Sequence, residues 1–441
     1  MAASASLRRQ VQLGIGKAGL TVGSLVYVRQ GRRENTAFAY DENWLAGAAR
    51  FNVSADLQLI PGHQPHKAAS VHDSVFHGAI ADTAPDAWGR RVIARDHAKR
   101  RRADPQLPAL NELDYLLAVD DFSRVGALRL GDVNGTWLRT VDEGRRSTPP
   151  LIDLGRIYQA SRAVERGHES AEDLRYLQGK GTSLGGMRPK CTVVDEDGWL
   201  AIGKFPSVGD ARSVTRGEVL ALALAAQAGI DAARARIILL GEKRGEKGEK
   251  GDEVPVAVIR RFDRDSEGGR IPYQSAASLL QASREEDRSY AEIADAIRSH
   301  SLAPTEDVRQ LWRRLVLNLL ITNVDDHLQN HGFLHVARGQ WRLAPAFDIN
   351  PFPDKDRESK TWLTEQDGPI TDVQMLLARA SYFALDQAQA LSVLGEVHAA
   401  VSNWRQTAVG PAVGLGAVEL DDFSPAFEHE QMDAAAVLLG R

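Results

Sequence analysis

The stretch Thr322-Asn323-Val324-Asp325-Asp326-His327-Leu328-Gln329-Asn330, followed by Phe347-Asp348-Ile349, decides the fold assignment. Asp325 and Asn330 are five positions apart, and Asp348 follows eighteen residues after Asn330. Phosphoryl transfer from a nucleotide needs this donor set. One carboxylate orients the attacking hydroxyl, while an amide oxygen and a second carboxylate hold Mg²⁺ against the phosphates. Two carboxylates and an amide facing one cleft would repel each other unless a dication neutralised them, which makes Mg²⁺ the expected metal. Asp326 competes with Asp325 for the base role, and the spacing to Asn330 favours Asp325. His327 is placed either to contact phosphate or to bond within its own loop. Polar residues filling a surface loop would give the same letters, so the flanking sequence has to discriminate.

Working outward, Leu311, Leu315 and Leu319 are four apart and form an apolar stripe on a helix leading directly into the motif. Gly332 to Val336 and Trp341 to Leu343 alternate around a turn, which predicts a hairpin between the motif and Asp348. Helices rich in Ala and Leu are expected over 372–404. Upstream, Thr192 to Val194 and Trp199 to Ile202 flank the turn Asp195-Glu196-Asp197-Gly198, a hairpin that ends at Lys204. A lysine there can reach the α- and β-phosphates of a nucleotide, or it can snorkel from a surface strand. Glu218 opens a helix predicted to run to Gln227 and stop at Gly229, where a carboxylate could hold that lysine. Arg236 to Leu240 and Val254 to Arg261 read as strands joined by the solvated Gly/Glu/Lys tract 241–253. Ahead of the hairpin, Thr182-Ser183-Leu184-Gly185-Gly186-Met187-Arg188-Pro189-Lys190 brings two glycines together, so backbone amides could approach a phosphate. This segment matches neither the Walker A pattern nor G-x-G-x-x-G, and an ordinary turn would look similar.

At 441 residues the chain is long enough for two or three units. Hydrophobic residues make up 43% and charged residues 26%, as in soluble globular proteins. The net charge of −5 argues against nucleic acid as the main ligand, although a basic run spans Arg90 to Arg102. The single cysteine, Cys191, permits no intrachain disulfide and fits a reducing, cytoplasmic compartment. No apolar run reaches the roughly 18–20 residues of a membrane span, and no signal-peptide core precedes Arg8. Residues 11–40 read as short strands, with a turn at Gly31 to Asn35. Residues 82–100 and 111–119 read as helices, and 131–150 as a boundary. His63 and His66 sit in a Pro-rich loop without carboxylates. His327, His331 and His335 fall where a strand is expected, so no zinc pattern emerges. The order, strand-rich and then helix-rich, predicts an α+β chain with two lobes.

Taken together, these motifs resemble the HipA family of serine/threonine kinases, the toxins of bacterial type II toxin–antitoxin pairs. The resemblance rests on Ser183 to Lys190, Ile202-Gly203-Lys204-Phe205-Pro206, Glu218, Arg261-Phe262-Asp263-Arg264, Asp325 to Asn330 and Phe347-Asp348-Ile349. In the N-terminal part it rests on Phe38, Tyr40, Trp44-Leu45, Asp82 to Asp86 and Ser123 to Ala127. It implies a two-lobed, phosphatidylinositol-kinase-like fold: an accessory subdomain at 1–145, a kinase N-lobe at 146–265 and a helical C-lobe at 266–441. It implies ATP and Mg²⁺ as cofactors, Asp325 as catalytic base, and Asn330 and Asp348 as metal ligands. Nucleotide contacts would come from Gly185, Gly186, Met187, Arg188, Pro189, Lys190 and Lys204, from Arg260 and Phe262 in the adenine-binding connection, and from His327. Ser183 matches the position at which family members phosphorylate themselves. Implied partners are a HipB-like helix-turn-helix antitoxin, operator DNA through that antitoxin, and a protein substrate, which for the family includes an aminoacyl-tRNA synthetase. Some members have Gly where this chain has Asp326, Glu where it has Arg260, and Gln-Glu where it has Arg188-Pro189. Two other readings remain open: a small-molecule kinase of the aminoglycoside or choline type, and an inactive kinase-like co-repressor subunit.

Overall fold

A computed structural model describes residues 6–140, 151–177, 186–241 and 253–441. These divide by compactness into two units. The first comprises Met1–Gly203, Asp263–Glu286 and Leu334–Gly339; the second comprises Lys204–Phe262, Asp287–Phe333 and Gln340–Arg441.

The first unit is built on an antiparallel sheet of β1 (Ser6–Ile15), β2 (Leu20–Gln30), β3 (Arg33–Tyr40), β4 (Gln64–His66) and β5 (Leu128–Gly131), in the order β4-β3-β2-β1-β5. Alternation along β2 and β3 buries Leu25, Tyr27 and Phe38 completely. The turn between these strands is tighter than the expected Gly31 to Asn35: Gln30 pairs with Arg33, leaving Gly31 and Arg32 as a two-residue loop. Gly31 supplies the positive φ, +64°, that such a loop requires. Helix α1 (Ala87–Ala103) is capped by Asp86, which accepts from the Gly89 N–H, and it buries Trp88, Val92 and Ile93. Much of its basic run makes structural contacts. Arg90 makes a bidentate pair with Glu112, Arg95 and Lys99 engage Glu169, and Arg100 pairs with Asp96.

Two motifs singled out in the sequence join within this unit. Asp263 accepts from the Gly126 N–H at 2.7 Å and from Arg264 at 2.9 Å. The buried Arg264 guanidinium also donates to the carbonyls of Arg124 and Gly126. A third motif residue, Asp82, receives the Ser275 N–H and hydroxyl, and burial pushes its carboxyl up to about 6. β6 (Lys190–Val194) and β7 (Leu200–Lys204) follow. Their turn is closed by Asp195 N–H to the Trp199 carbonyl at 2.7 Å, with Gly198 at φ +80°.

In the second unit, α2 (Val214–Gln227) starts four residues before Glu218 and ends ahead of Gly229, whose φ is +72°. β8 (Ala235–Leu240) and β9 (Val254–Arg260) pair antiparallel; 242–252, within the Gly/Glu/Lys tract, lie outside the described residues. Helices α3 (Tyr290–His300), α4 (Pro304–Leu320) and α5 (Gln387–Ser402) form its core. The expected leucine stripe lies inside α4, with Leu311, Leu315 and Leu319 all buried beside Trp312. The helical stretch expected over 372–404 is broken at the 3₁₀ turn Ala380–Phe383, where Ala384 adopts φ +58°. Among the described residues no helix is long and apolar enough to cross a membrane.

Candidate active site

Lys204 is the last residue of β7, and its ammonium is buried between two carboxylates. Glu218 Oε1 lies at 2.6 Å and Asp348 Oδ1 at 2.8 Å. Glu218 reaches it because α2 begins ten residues after the strand ends, which presents the first turns of the helix back to the strand. Burial alone would discharge the ammonium, but Asp348 and Glu218 outweigh that cost and hold its pKa above the usual lysine range. The snorkelling alternative is therefore excluded by position: Lys204 points inward.

Asp348 occupies the left-handed region at φ +54°, where a non-glycine residue is uncommon and Asp is among the better tolerated. The chain on either side is pinned. Ala346 exchanges backbone hydrogen bonds with Asp231 and Ala233, at 2.7 and 2.9 Å. The Asn350 N–H donates to Asn323 Oδ1 at 3.2 Å, and Phe352 N–H to the Thr322 carbonyl at 3.1 Å. The last two bonds fasten the Asp348 loop to the Asp325 loop.

The Asp325 loop leaves α4 through Thr322, also left-handed at φ +54° and fully buried. It closes in the 3₁₀ turn Leu328–Asn330. The Asp325 carbonyl accepts from the His327 N–H at 3.1 Å and from Asn330 Nδ2 at 3.1 Å. That commits the Asn330 amide nitrogen and leaves its oxygen as the atom suited to a cation. The Asp325 carboxylate is half exposed, with Lys360 Nζ at 3.2 Å.

Asp326 lies on the opposite side of the loop. It is buried, and its Oδ2 accepts from Tyr290 Oη at 2.7 Å, Asn318 Nδ2 at 2.6 Å and His331 Nε2 at 2.9 Å. Its carbonyl accepts from Thr361 Oγ1. Burial opposes the charge, yet His331 and the hydroxyl and amide donors prevail and hold the carboxyl below its ordinary value. Asn318 Oδ1 in turn accepts from Asn323 Nδ2 at 3.0 Å. A buried polar chain thus runs Tyr290–Asp326–Asn318–Asn323–Asn350. Asp326 anchors the loop, and only Asp325 is presented to solvent.

Other expected site residues fall as follows. The Phe262 ring packs on Phe347 with centroids 5.3 Å apart, which brings the expected adenine connection to the residue preceding Asp348. Arg260 ends β9, its N–H bonded to the Arg234 carbonyl. His327 Nδ1 is buried and, among the described residues, has no hydrogen-bond partner. Gly186 through Lys190 belong to the first unit. There Gly186 has φ +87°, Met187 is exposed, and the buried Lys190 pairs with Asp86 at 3.4 Å. Ser183 and Gly185 lie outside the described residues. The three histidines at spacings of four do not converge. His331 binds Asp326, whereas His335 belongs to the first unit and stacks on Phe51. Tyr290, Asn318, Asn323, His331 and Asn350 were not apparent in the sequence as site residues. Asn318 and Asn323 were signalled only as polar positions at the end of an apolar helix.

Comparison with known proteins identifies the family. Residues 182–404 match the HipA-like C-terminal domain and residues 16–129 the HipA N-terminal domain. The HipA chain of the Shewanella oneidensis MR-1 toxin–antitoxin complex of HipA, HipB and operator DNA superimposes with a TM-score of 0.64 at 14% identity. That match covers 98% of this chain and 97% of that one. The Helicobacter pylori proinflammatory kinase CtkA matches 58% of this chain and 94% of its own, with a TM-score of 0.43 and 16% identity. A Haemophilus influenzae protein described as "Putative kinase" is 29% identical over 119 residues, covering 24% of this chain and 35% of that protein. The match thus spans about a third of that relative's length. With both domain models matched in order along an α+β chain, the chain belongs to the HipA family.

Proposed function

We propose that the protein is an ATP- and Mg²⁺-dependent serine/threonine protein kinase of the HipA toxin type. The observation that carries this is the buried Lys204–Glu218–Asp348 ion-pair set, tied through Asn323 and Asn350 to a loop that exposes Asp325. Asp325 takes the proton of an acceptor hydroxyl as that oxygen bonds the γ-phosphorus and the bond to the ADP oxygen breaks. Its backbone carbonyl is fixed by Asn330 and His327, so the carboxylate is oriented before an acceptor arrives. Asp348 and Asn330 offer hard oxygen donors, the type Mg²⁺ selects, and they are the residues that would hold it. The metal would neutralise charge on the β- and γ-phosphates. Lys204, already charged and aligned, neutralises phosphate oxygens. Gly185 through Lys190 form the phosphate loop, Arg260 and Phe262 the adenine contact, and Ser183 a site of autophosphorylation. A HipB-like helix-turn-helix protein is the neutralising partner and carries the complex to operator DNA, by analogy with the Shewanella assembly.

The test is incubation with labelled ATP and Mg²⁺ beside an Asp325→Asn variant and a Ser183→Ala variant. Label on the wild type, none on Asp325→Asn, and loss of self-label alone on Ser183→Ala is the expected pattern. Equal label on wild type and Asp325→Asn, or none on either, refutes the assignment.

A further inference from the structure

The first unit holds a side-chain cluster that phosphoryl transfer does not use. Asp56, His66 and His77 each present one donor atom, and the three atoms lie within 4.8 Å of one another. They come from separate stretches: irregular chain after β3, the end of β4, and the residue preceding the helical turn Gly78–Ala81. His66 and His77 are eleven positions apart, and Asp56 and His66 ten. No spacing rule connects them, and the expectation that His66 lies in a loop without carboxylates is overturned by the fold.

The hydrogen bonds fix which ring atoms face inward. His66 Nε2 lies 3.1 Å from the Ser74 carbonyl oxygen, and His77 Nε2 lies 3.1 Å from the Gln64 carbonyl oxygen. Carbonyls only accept, so both Nε2 atoms carry hydrogen. A neutral ring in that state has its lone pair on Nδ1. Both Nδ1 atoms face the same carboxylate oxygen, Asp56 Oδ2, at 2.7 Å from His77 and 3.5 Å from His66. Two lone pairs aimed at one anionic oxygen require a positive charge among them, either a dication or a proton on each ring.

The surroundings favour the dication. Each ligand is held from its far side, as in metal sites whose histidines donate the second N–H to a carbonyl. The other Asp56 oxygen accepts from Ser54 Oγ and faces the Gly78 N–H at 3.4 Å, and Ser54 Oγ in turn accepts from the Ala79 N–H. His77 is buried, while the His66 side chain is 24% exposed, which leaves one open side for entry and for a water ligand. Tetrahedral zinc with bonds of about 2.0–2.1 Å places its donors roughly 3.3 Å apart. The His66–Asp56 separation is already near this, and the His77–Asp56 contact must open by about 0.6 Å. Two imidazoles and one carboxylate select zinc or a neighbouring transition metal over Mg²⁺ or Ca²⁺. The segment also has a need for such a tie. From Asp41 to Phe76 the only regular elements are the five-residue helix Glu42–Ala46 and the three residues of β4.

We propose that Asp56, His66 and His77 bind one zinc ion, with water as fourth ligand, as a structural clip on the 54–78 segment. The inference is independent of the kinase assignment. It is tested on the full chain without a histidine tag, by metal analysis, zinc titration, and amide exchange of residues 54–78 with zinc or with Mg²⁺. One zinc per chain is expected, with slower exchange in 54–78 under zinc only. Affinity should fall on the order of 100-fold or more in His66→Gln and Asp56→Asn, and stay unchanged in Cys191→Ser. If His66→Gln fails to fold, the exchange of the wild-type chain decides. Absence of stoichiometric zinc, undiminished binding in His66→Gln, or NMR titration of both rings as imidazolium with zinc present overturns the site.

Discussion

Adjacent acids, Asp325 and Asp326, should fail in opposite ways. Asp325 is half exposed and, among the described residues, its one ion-pair partner is the similarly exposed Lys360, an interaction worth roughly 0–1 kcal/mol. Asp325→Asn should therefore leave the urea midpoint almost unchanged while removing the phosphoryl-transfer activity proposed for this site. Asp326 is buried, and three donors converge on one of its oxygens at 2.6–2.9 Å. Each charge-assisted bond of this kind contributes about 1.5–3 kcal/mol. The three are not additive, and breaking a buried charge network typically costs about 3–5 kcal/mol, because the remaining partners are left unsatisfied. That is a large fraction of a total stability of roughly 5–15 kcal/mol, so Asp326→Ala should lower the urea midpoint severely. Asp326→Asn keeps an acceptor, loses the charge, and should fall between the two. The pH dependence has a definite sign. The carboxyl is held below its ordinary value in the folded state. Its contribution is therefore fully present above the unfolded value of about 3.9 and is lost as pH falls through the lower folded value. The stability gap between wild type and Asp326→Asn should accordingly narrow toward acid. Urea melts monitored by tryptophan fluorescence, alongside labelled-ATP assays, separate the two residues. The assignment is refuted if Asp325→Asn destabilises more than Asp326→Ala, or if Asp326→Asn is fully stable yet inactive.

Lys204→Met should abolish the proposed activity and remove the ammonium that Glu218 and Asp348 share, at a cost of about 3–5 kcal/mol. Because carboxylates that lose a cationic neighbour take up protons more readily, the deficit should be larger at pH 8 than at pH 5, and urea midpoints that shift equally at both pH values would contradict this. Burial lowers the His335 pKa to about 4 while its Nε2 accepts the Gly339 N–H. Its contribution is present above the unfolded value of about 6.5 and is lost as pH falls toward 4. His335→Phe should flatten the thermal-stability profile across that window, and parallel curves would count against the assignment. A Cβ at Gly23 would sit 2.2 Å from the Ala39 carbonyl and 2.6 Å from Phe38 Cζ. Gly23→Ala should therefore cost about 1–3 kcal/mol by overpacking, and a midpoint unchanged from wild type would show that the sheet yields there.

What the sequence disclosed follows a physical pattern. Periodicity located the hairpins and the α4 stripe, because burial of one face depends on neighbours in the chain. Lys204, Glu218, Asp325, Asn330 and Asp348 could be picked out as candidates because the phosphoryl transfer proposed here would need those residue types at that spacing. The role of Asp326 was not. Its partners Tyr290, Asn318 and His331 lie up to 36 residues away, and nothing in Asp325-Asp326 says which carboxylate turns inward. The Asp56–His66–His77 cluster was missed for the same reason, since three separate segments meet only once the sheet has formed. Within the basic run of α1, Arg90 finds its partner on Glu112, and Arg95 and Lys99 find theirs on Glu169, which is distant in sequence. The hairpin turn at Gly31 was placed correctly but drawn too long, because pairing continues to Gln30 and Arg33.

Two residues in the left-handed region, Thr322 and Asp348, flank the places where the chain must turn toward the site. Such conformations cost on the order of 1–3 kcal/mol each and persist only where the surroundings over-determine them. Here the over-determination can be traced bond by bond. Thr322 is buried, with its hydroxyl donating to Ala426 and its carbonyl accepting from Phe352. Asp348 sits between Ala346, locked to Asp231 and Ala233, and Asn350, locked to Asn323. Asn323 then hands the constraint to Asn318 and Asp326. The strain and the network are therefore two sides of one device. A relaxed loop would let Asp348 drift from Lys204, and a network without the two left-handed turns could not deliver Asp348 and Asp325 from the same anchor. The buried Asp326 is therefore the anchor that fixes the backbone presenting the exposed Asp325, the acid proposed as the base.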